Sequence, residues 1–379
     1  MKILIDGRFY GLENAGIGRY SINLISELCK IDSKNEYVLL LRKKYFDSLI
    51  LPTNWKKVPA DINHYSFEEQ IKLPAIIKGE NPDLVHFLHF NIPVFYKDKY
   101  VVTVHDLLMH SQKGFEATTL PAPIYLVKRV GYRTVFDAAI RNSKSIIVPS
   151  KTIKKKLEDF YNIEDKKINV IYEGFDAKIS SKNNIKIEKP YFFYAGNAYP
   201  HKNLNNLILG VKLLNTKYNQ SVNLMISSAR NIFTQRLEKS IKKQNAEKYV
   251  KLLGFVPDNK LGYLYKNSAA FVFPSLSEGF GLPGLEAISA GTLLIASDIE
   301  VFREVYRDKA IYFDPKNIES MINVMQKVLT MSKSEKEQRI KFAQKFAKRY
   351  SWSKMAKETL DIYEKAFKKE GGNSLRQSE

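Results

Sequence analysis

Ser277-Glu278-Gly279-Phe280-Gly281-Leu282-Pro283-Gly284-Leu285-Glu286-Ala287 is the stretch on which the reading of this chain turns. An apolar run, Ala269 to Phe273, precedes it and reads as a buried strand. A helical pattern follows and stops at Gly291, a suitable C-terminal cap. Pro283 suits the first helical turn, where a missing N–H costs nothing. The glycines ahead of it leave backbone N–H groups at a helix N-terminus, an arrangement that binds phosphate. Glu278 in the loop and Glu286 about one turn into the helix bracket that place. A carboxylate repels a phosphate, so each acid is better suited to accept hydrogen bonds from sugar hydroxyls. Amides for a diphosphate and one acid for each sugar together fit a nucleotide-sugar. The spacing Gly279-x-Gly281-x-x-Gly284, with Glu304 further on, also matches the dinucleotide fingerprint of dehydrogenases. Against that stand the glycines' distance from the strand, the stiffening Pro283, and a place outside the first strand–helix unit. A third reading makes the glycines and acids no more than helix caps.

Composition sets the wider bounds. With 379 residues the chain is long enough for two domains with their own cores. Hydrophobic residues at 44% and aromatic residues at 12% describe a folded chain rather than a disordered one. The single cysteine, Cys29, excludes an internal disulfide framework and suits a reducing compartment. Six scattered histidines show no zinc spacing, so no metal site is expected. Lys and Arg number 60 against 40 Asp and Glu, a net charge of +20. Nucleic acid, anionic lipid and phosphorylated small molecules all suit such a charge, and so does a merely solvated, lysine-rich surface. No nucleic-acid module is visible, so nucleic acid is not expected as a partner. Met1–Asp6 is too short an apolar run for a signal peptide, and no run approaches the roughly 20 apolar residues of a membrane span. The expected location is cytoplasmic, with a peripheral place on the cytoplasmic face of the membrane as its extension.

Along the chain, Lys2–Asp6 reads as a first buried strand, and Asn14-Ala15-Gly16-Ile17-Gly18-Arg19-Tyr20 opens a helix with apolar Ile22, Leu24, Ile25 and Leu28. Glycines between a strand and a helix let backbone approach a ligand closely, although Gly16 and Gly18 alone could mark only a turn. Strand-like runs at Tyr37–Leu41, Leu84–Leu88 and Tyr100–His105 alternate with helical or polar stretches, the rhythm of a parallel, doubly wound sheet. His105 closes an apolar strand at the edge where open α/β sheets bind ligands. A histidine in that place is more often structural than catalytic. Asp106 could orient its ring or cap the next element. His86 and His89 lie on the preceding strand and its exit. The helix-like stretch with Lys128, Arg129 and Arg133 interleaves basic and apolar residues, which suits an anionic surface or an ordinary wet face. Lys178 to Lys189 is polar and strand-free and reads as the linker. A second strand–helix series begins at Tyr191–Ala195, with strands near Val222–Ile226, Tyr249–Leu253, Ala269–Phe273 and Thr292–Ala296. A periodic helix runs to Phe367, and Gly371–Glu379 reads as a frayed tail.

The spacing Glu278-x7-Glu286 inside Glu-Gly-Phe-Gly-Leu-Pro resembles the signature of retaining GT-B glycosyltransferases of the family 4 (group 1) type, and the likeness extends along essentially the whole chain. The resemblance implies an α/β fold of two Rossmann-like, doubly wound domains facing across a cleft, with a C-terminal helix crossing back to the first. The expected boundaries are 1–180 for the acceptor-binding domain, 181–350 for the nucleotide-sugar domain, and 351–379 for the crossover helix and tail. It implies that Glu278 contacts the donor hexose, that the backbone of Gly279, Phe280, Gly281 and Leu282 contacts sugar and phosphate, and that Glu286 binds the ribose. His105 then borders the donor sugar, and Gly16, with Gly18 behind it, faces the diphosphate.

In Gly196-Asn197-Ala198-Tyr199-Pro200-His201-Lys202-Asn203, Lys202 matches a lysine that neutralises the departing diphosphate. The family's accompanying arginine is missing. Asn197 or His201 stands in its place, and His201 could replace it only when protonated. Gly254-Phe255-Val256-Pro257 resembles the nucleobase-contact turn, which puts Val256 at the base. Glu69-Gln70-x-x-Leu73-Pro74 resembles a segment of the family's oligosaccharide-chain mannosyltransferases, with no physical role legible in the residues. The family uses no metal held through Asp-x-Asp, and the chain has no such motif.

The expected activity is metal-independent transfer of a hexose from a nucleoside-diphosphate sugar to a glycan or polyprenyl-linked acceptor, with no cofactor. The likeness to bacterial polysaccharide mannosyltransferases favours GDP-mannose, with a UDP-sugar as the other option. A nucleotide-sugar epimerase of the same fold and a basic membrane- or nucleic-acid-binding protein are the alternatives.

Overall fold

The computed structural model describes residues 1–111, 121–175, 187–188 and 190–368. The chain divides into two compact units, Met1–Gly174 with Ser351–Glu379, and Phe175–Tyr350. The expected linker lies outside the described residues except for Ile187 and Glu188, and so does the expected frayed tail.

The first unit runs β1 (Lys2–Asp6), α1 (Ala15–Ile31), β2 (Glu36–Leu41), β3 (Trp55–Pro59), α2 (Phe67–Glu80), β4 (Leu84–Phe87), β5 (Tyr100–Thr103), α3 (Leu108–Ser111), α4 (Ala122–Asn142), β6 (Ser145–Val148), α5 (Lys151–Tyr161) and β7 (Ile168–Val170). Its seven strands pair in parallel in the order β3-β2-β1-β4-β5-β6-β7. The second unit runs β8 (Tyr191–Ala195), α6 (Leu204–Thr216), β9 (Asn223–Ser227), α7 (Ile232–Lys243), β10 (Val250–Gly254), α8 (Asp258–Asn267), β11 (Ala270–Phe273), α9 (Leu282–Ala290), β12 (Leu294–Ser297), α10 (Glu300–Tyr306), β13 (Ile311–Phe313), α11 (Ile318–Thr330) and α12 (Lys333–Ala347). Its six strands are parallel in the order β10-β9-β8-β11-β12-β13. Parallel strands need crossover helices on their faces, which is why runs such as Ile3-Leu4-Ile5 and Phe271-Val272-Phe273 are buried without alternation.

Four strands have no counterpart in the sequence reading. β3 carries Lys56 and Lys57 at a sheet edge, β7 and β13 have three residues each, and β6 has four. Runs that short carry too little periodicity to separate strand from loop.

A last helix, α13 (Trp352–Lys368), belongs to the first unit and packs on α1. Its buried face repeats at Trp352, Met355, Ala356, Thr359, Ile362, Tyr363 and Ala366, the three-to-four spacing of a helix with one apolar stripe. Tyr363 is joined to β4 through His86 Nδ1 at 2.6 Å, and His86 Nε2 meets Thr103 Oγ1 at 2.9 Å. Tyr20 of α1 reaches the same threonine at 3.2 Å. This chain of buried polar groups fastens the C-terminal helix to the first sheet and gives His86 a structural task. The helix therefore crosses back to the first domain as expected.

In each sheet the strand order reverses beside the first strand, at β1 between β2 and β4 and at β8 between β9 and β11. The loops leaving the carboxyl ends of such a pair turn to opposite sides and leave a crevice for ligands.

Candidate active site

At the reversal point of the second unit, the loops after β8 and β11 carry Lys202 and Glu278. A backbone bond from Leu276 N to His201 O, 2.8 Å long, ties the two loops together. Glu278 Oε1 accepts from Lys202 Nζ at 2.6 Å and from Ser275 Oγ at 2.7 Å. The lysine and glutamate side chains are 16% and 11% exposed, so the pair is mostly desolvated yet reachable. Two residues assigned separate tasks from the sequence, diphosphate and sugar, are thus one ion pair. Ser275, fully buried behind it, was not singled out from sequence, because a lone serine after a strand carries no signal.

The helix α9 starts at Leu282, with Pro283 in its first turn and Gly281 ahead of it in the left-handed region at φ 106°. It ends where expected. Gly291 takes φ 86°, and Thr292 N returns to Ala287 O at 3.2 Å. Gly281 and Gly284 have a packing reason that the sequence did not reveal. A Cβ on either would sit 2.3 Å from the Tyr306 hydroxyl oxygen of α10. Tyr306 OH in turn donates to Gly281 O. The glycines therefore admit a buried tyrosine behind the loop, as well as leaving first-turn amides at its front. Phe280 and Leu282 turn their side chains into the core, so only their backbone can serve a ligand. Glu286 is buried one turn into α9 and accepts from Tyr265 OH at 3.4 Å.

Gly196, at φ 149°, begins the loop after β8, and Tyr194 OH holds that loop by donating to Asn197 O at 2.8 Å. His201 follows, stacked beside Tyr199 with ring centroids 5.9 Å apart. Burial, with Lys202 next to it, lowers the His201 pKa to about 4. His201 could replace the missing arginine only when protonated, and the lowered pKa works against that. Val256 is half-buried after β10, just past Gly254 at φ 71°.

In the first unit, His105 stands two residues beyond β5, 11% exposed. Its Nε2 donates to Leu88 O at 3.0 Å and its Nδ1 faces Glu173 Oε1 at 3.4 Å. Asp106 Oδ1 accepts from Leu108 N at 3.0 Å at the start of α3. Glu173, just after β7, takes the orienting place that sequence reasoning missed, since 68 residues separate it from His105. Gly16 and Gly18 lie inside the first turns of α1, not in a loop before it. Space around Gly16 is open, whereas a Cβ on Gly18 would meet Gly11 O at 1.9 Å, so Gly18 answers to packing.

The description "Glycosyl transferases group 1" matches residues 175–346, and "Glycosyltransferase Family 4" matches residues 16–178. The chain is 31% identical to O-antigen chain mannosyltransferase B of Escherichia coli, covering 96% of this chain and 99% of that one. This chain is a family 4 glycosyltransferase. The glycosyltransferase is also 27% identical to O-antigen chain mannosyltransferase RfbU of Salmonella typhimurium, over 82% of its own length and 86% of the relative's. Its GT-B fold is shared with sucrose-phosphate synthase from Thermosynechococcus elongatus, at TM-score 0.76 and 16% identity over 97% of this chain and 98% of that one. Anabaena HepE in complex with UDP and glucose shares it too, at TM-score 0.71 and 15% identity over 96% and 100%. The dehydrogenase, epimerase and binding-protein readings gain nothing from these matches.

Proposed function

We propose that the enzyme transfers mannose, with retention and without metal, from GDP-mannose to a hydroxyl of a glycan or polyprenyl-linked acceptor. The observation that carries this reading is the Lys202–Glu278 pair beside the N-terminus of α9. Lys202 offers the positive charge that a departing diphosphate needs, and the first-turn amides of α9 add their dipoles. Glu278 has a second carboxylate oxygen for a sugar hydroxyl. Buried Glu286 suits the ribose, and Val256 the base. Asn197 and Gly16 stay as donor contacts on family likeness alone, as does His105 at the sugar. The glycosidase arrangement of two acids astride one bond does not fit, because Glu286 is buried inside a helix. Mannose rather than glucose is favoured by the names of the two relatives. The test is transfer from GDP-mannose, UDP-glucose and ADP-glucose to methyl α-mannopyranoside in EDTA, with the product anomer read by NMR. An α-mannoside formed in EDTA supports the reading. Transfer only from another nucleotide, only with metal, or with a β-linkage overturns the corresponding part.

We also propose a peripheral place on an anionic membrane. No helix of the described residues is long and apolar enough to cross a membrane. The first half of α4, however, leaves Leu126, Val127 and Val130 at 56%, 73% and 67% exposure, beside exposed Lys128 and Arg133. Aliphatic and basic residues side by side suit an anionic interface. Flotation with phosphatidylglycerol vesicles should carry the enzyme up, and Val127→Glu with Val130→Glu should leave it at the bottom. Flotation unaffected by both changes contradicts a role for this helix.

A further inference from the structure

The Glu69-Gln70 pair has no part in donor chemistry, yet Glu69 is fully buried. It lies at the first unit's own reversal point, where the loops after β1 and β4 part. Arg8, after β1, gives Nε and Nη2 to Asp6 at 2.8 and 2.7 Å and Nη2 also to Glu69 Oε1 at 2.6 Å. Glu69 then takes Asn91 Nδ2 on both oxygens, at 2.7 and 2.6 Å. Gln70 grips the next residues of the same loop, donating to Ile92 O at 3.2 Å and accepting from Val94 N at 2.7 Å. Two adjacent side chains of α2 therefore clamp the loop that follows β4.

What the clamp holds in place is His89. Asn91 N donates to His89 Nδ1 at 3.3 Å, so the ring's hydrogen sits on Nε2. Burial, with His105 and His64 nearby, keeps the ring well below the ordinary histidine range, hence neutral. The residue is 7% exposed, and Nε2 has no hydrogen-bond partner among the described residues. It is not sealed, unlike the two ring nitrogens of His64. Phe9 and Phe90 flank the ring at centroid distances of 4.9 and 4.0 Å, and the ring of Tyr65 stands at 6.1 Å. The charges close by, Asp6, Arg8 and Glu69, are paired with one another. A neutral N–H among aromatic faces, with Arg8 held by two carboxylates, suits a sugar hydroxyl more than a phosphate.

We propose that His89 is a binding residue for the acceptor glycan, presenting Nε2–H to one of its hydroxyl or ring oxygens from the loop that Glu69 and Gln70 clamp. The proposal rests on the transferase reading only for the class of ligand, a neutral carbohydrate.

The experiment uses the full chain with 15N-labelled histidine and methyl α-mannopyranoside as the probe. The His89 ring signals should be those of the Nε2–H tautomer and should move on titration with the glycoside. Inorganic phosphate should neither move them nor compete. His89→Phe keeps the ring stack and removes the donor, so glycoside binding by saturation transfer should weaken roughly three- to tenfold, the scale of one neutral hydrogen bond. Gln70→Ala should broaden the His89 signals and raise the acceptor KM with kcat little changed. Ring signals that stay put with glycoside, signals that follow phosphate, or equal binding by a folded His89→Phe protein each overturn the proposal. The wild-type titration decides even if the variant does not fold. Melting shifts with GDP in the same samples report the donor site separately, so failure there is not confused with failure here.

Discussion

At the carboxyl ends of β8 and β11 a lysine and a glutamate meet with part of their surface in solvent. At the carboxyl ends of β1 and β4 an arginine and two carboxylates are sealed inside, beside a neutral imidazole that is 7% exposed. The same topological position has thus been filled in two ways. A sealed network costs desolvation and cannot exchange partners, so its use is geometric: it fixes a loop. A pair at the rim can open to a charged ligand, because water and the ligand can replace the lost partner. One sheet therefore presents charge and the other presents shape and a single donor. That division fits the proposed transfer from a nucleotide-sugar donor to a glycan acceptor.

Glu69→Ala breaks the sealed side and should have the largest effect. It leaves Asn91 without its acceptor and Arg8 with only Asp6, and a loss of about 3–5 kcal/mol is expected in urea denaturation. Lys202→Ala breaks the rim side. There kcat should fall about 10²–10³-fold, or roughly 2.7–4 kcal/mol of barrier, with a smaller change in the urea midpoint than Glu69→Ala gives. Equal stability losses in the two variants would erase the distinction between them. Gly284→Ala sharpens the picture of the donor loop. The new methyl meets Tyr306, and a loss of about 1–3 kcal/mol is expected, partly restored by Tyr306→Leu in the same chain. A loss of nucleotide binding with stability intact would instead mark the glycine as a ligand contact.

Acid should act gradually, over several pH units. Burial lowers the His86 pKa to about 3 in the fold, against roughly 6.5 when unfolded. The unfolded chain then binds more protons between these values, so the stabilisation is complete above pH 6.5 and declines as pH falls toward 3. The slope is about 1.4 kcal/mol per pH unit for each such histidine. His201 adds to the same fall down to about 4. Melting temperature should drop from pH 7 to 5, and His86→Gln should flatten the drop.

Much of the fold was legible because buried parallel strands are continuous apolar runs, and Ala270–Phe273 or Tyr191–Ala195 cannot be mistaken. Short edge strands such as Ile168–Val170 were not, since three residues carry no period. Glu278 and Lys202 were legible through motif spacing, but their pairing was not, because they are 76 positions apart in the chain. Tyr306, Glu173 and Asn91 left no local trace for the same reason: their partners are distant in sequence and only the fold joins them. The Glu69-Gln70 pair was visible as a pattern, and its meaning waited for the loop it holds.

The most direct test of the central claim is calorimetric titration of GDP into the wild-type enzyme, Lys202→Ala and His89→Phe. Charge at the rim of the second sheet, and not the imidazole of the first, should help hold the nucleotide, so GDP binding should weaken at least about tenfold in Lys202→Ala, a change of 1.4 kcal/mol or more, and stay as it was in His89→Phe. Binding untouched by Lys202→Ala, or lost equally in both, would contradict it.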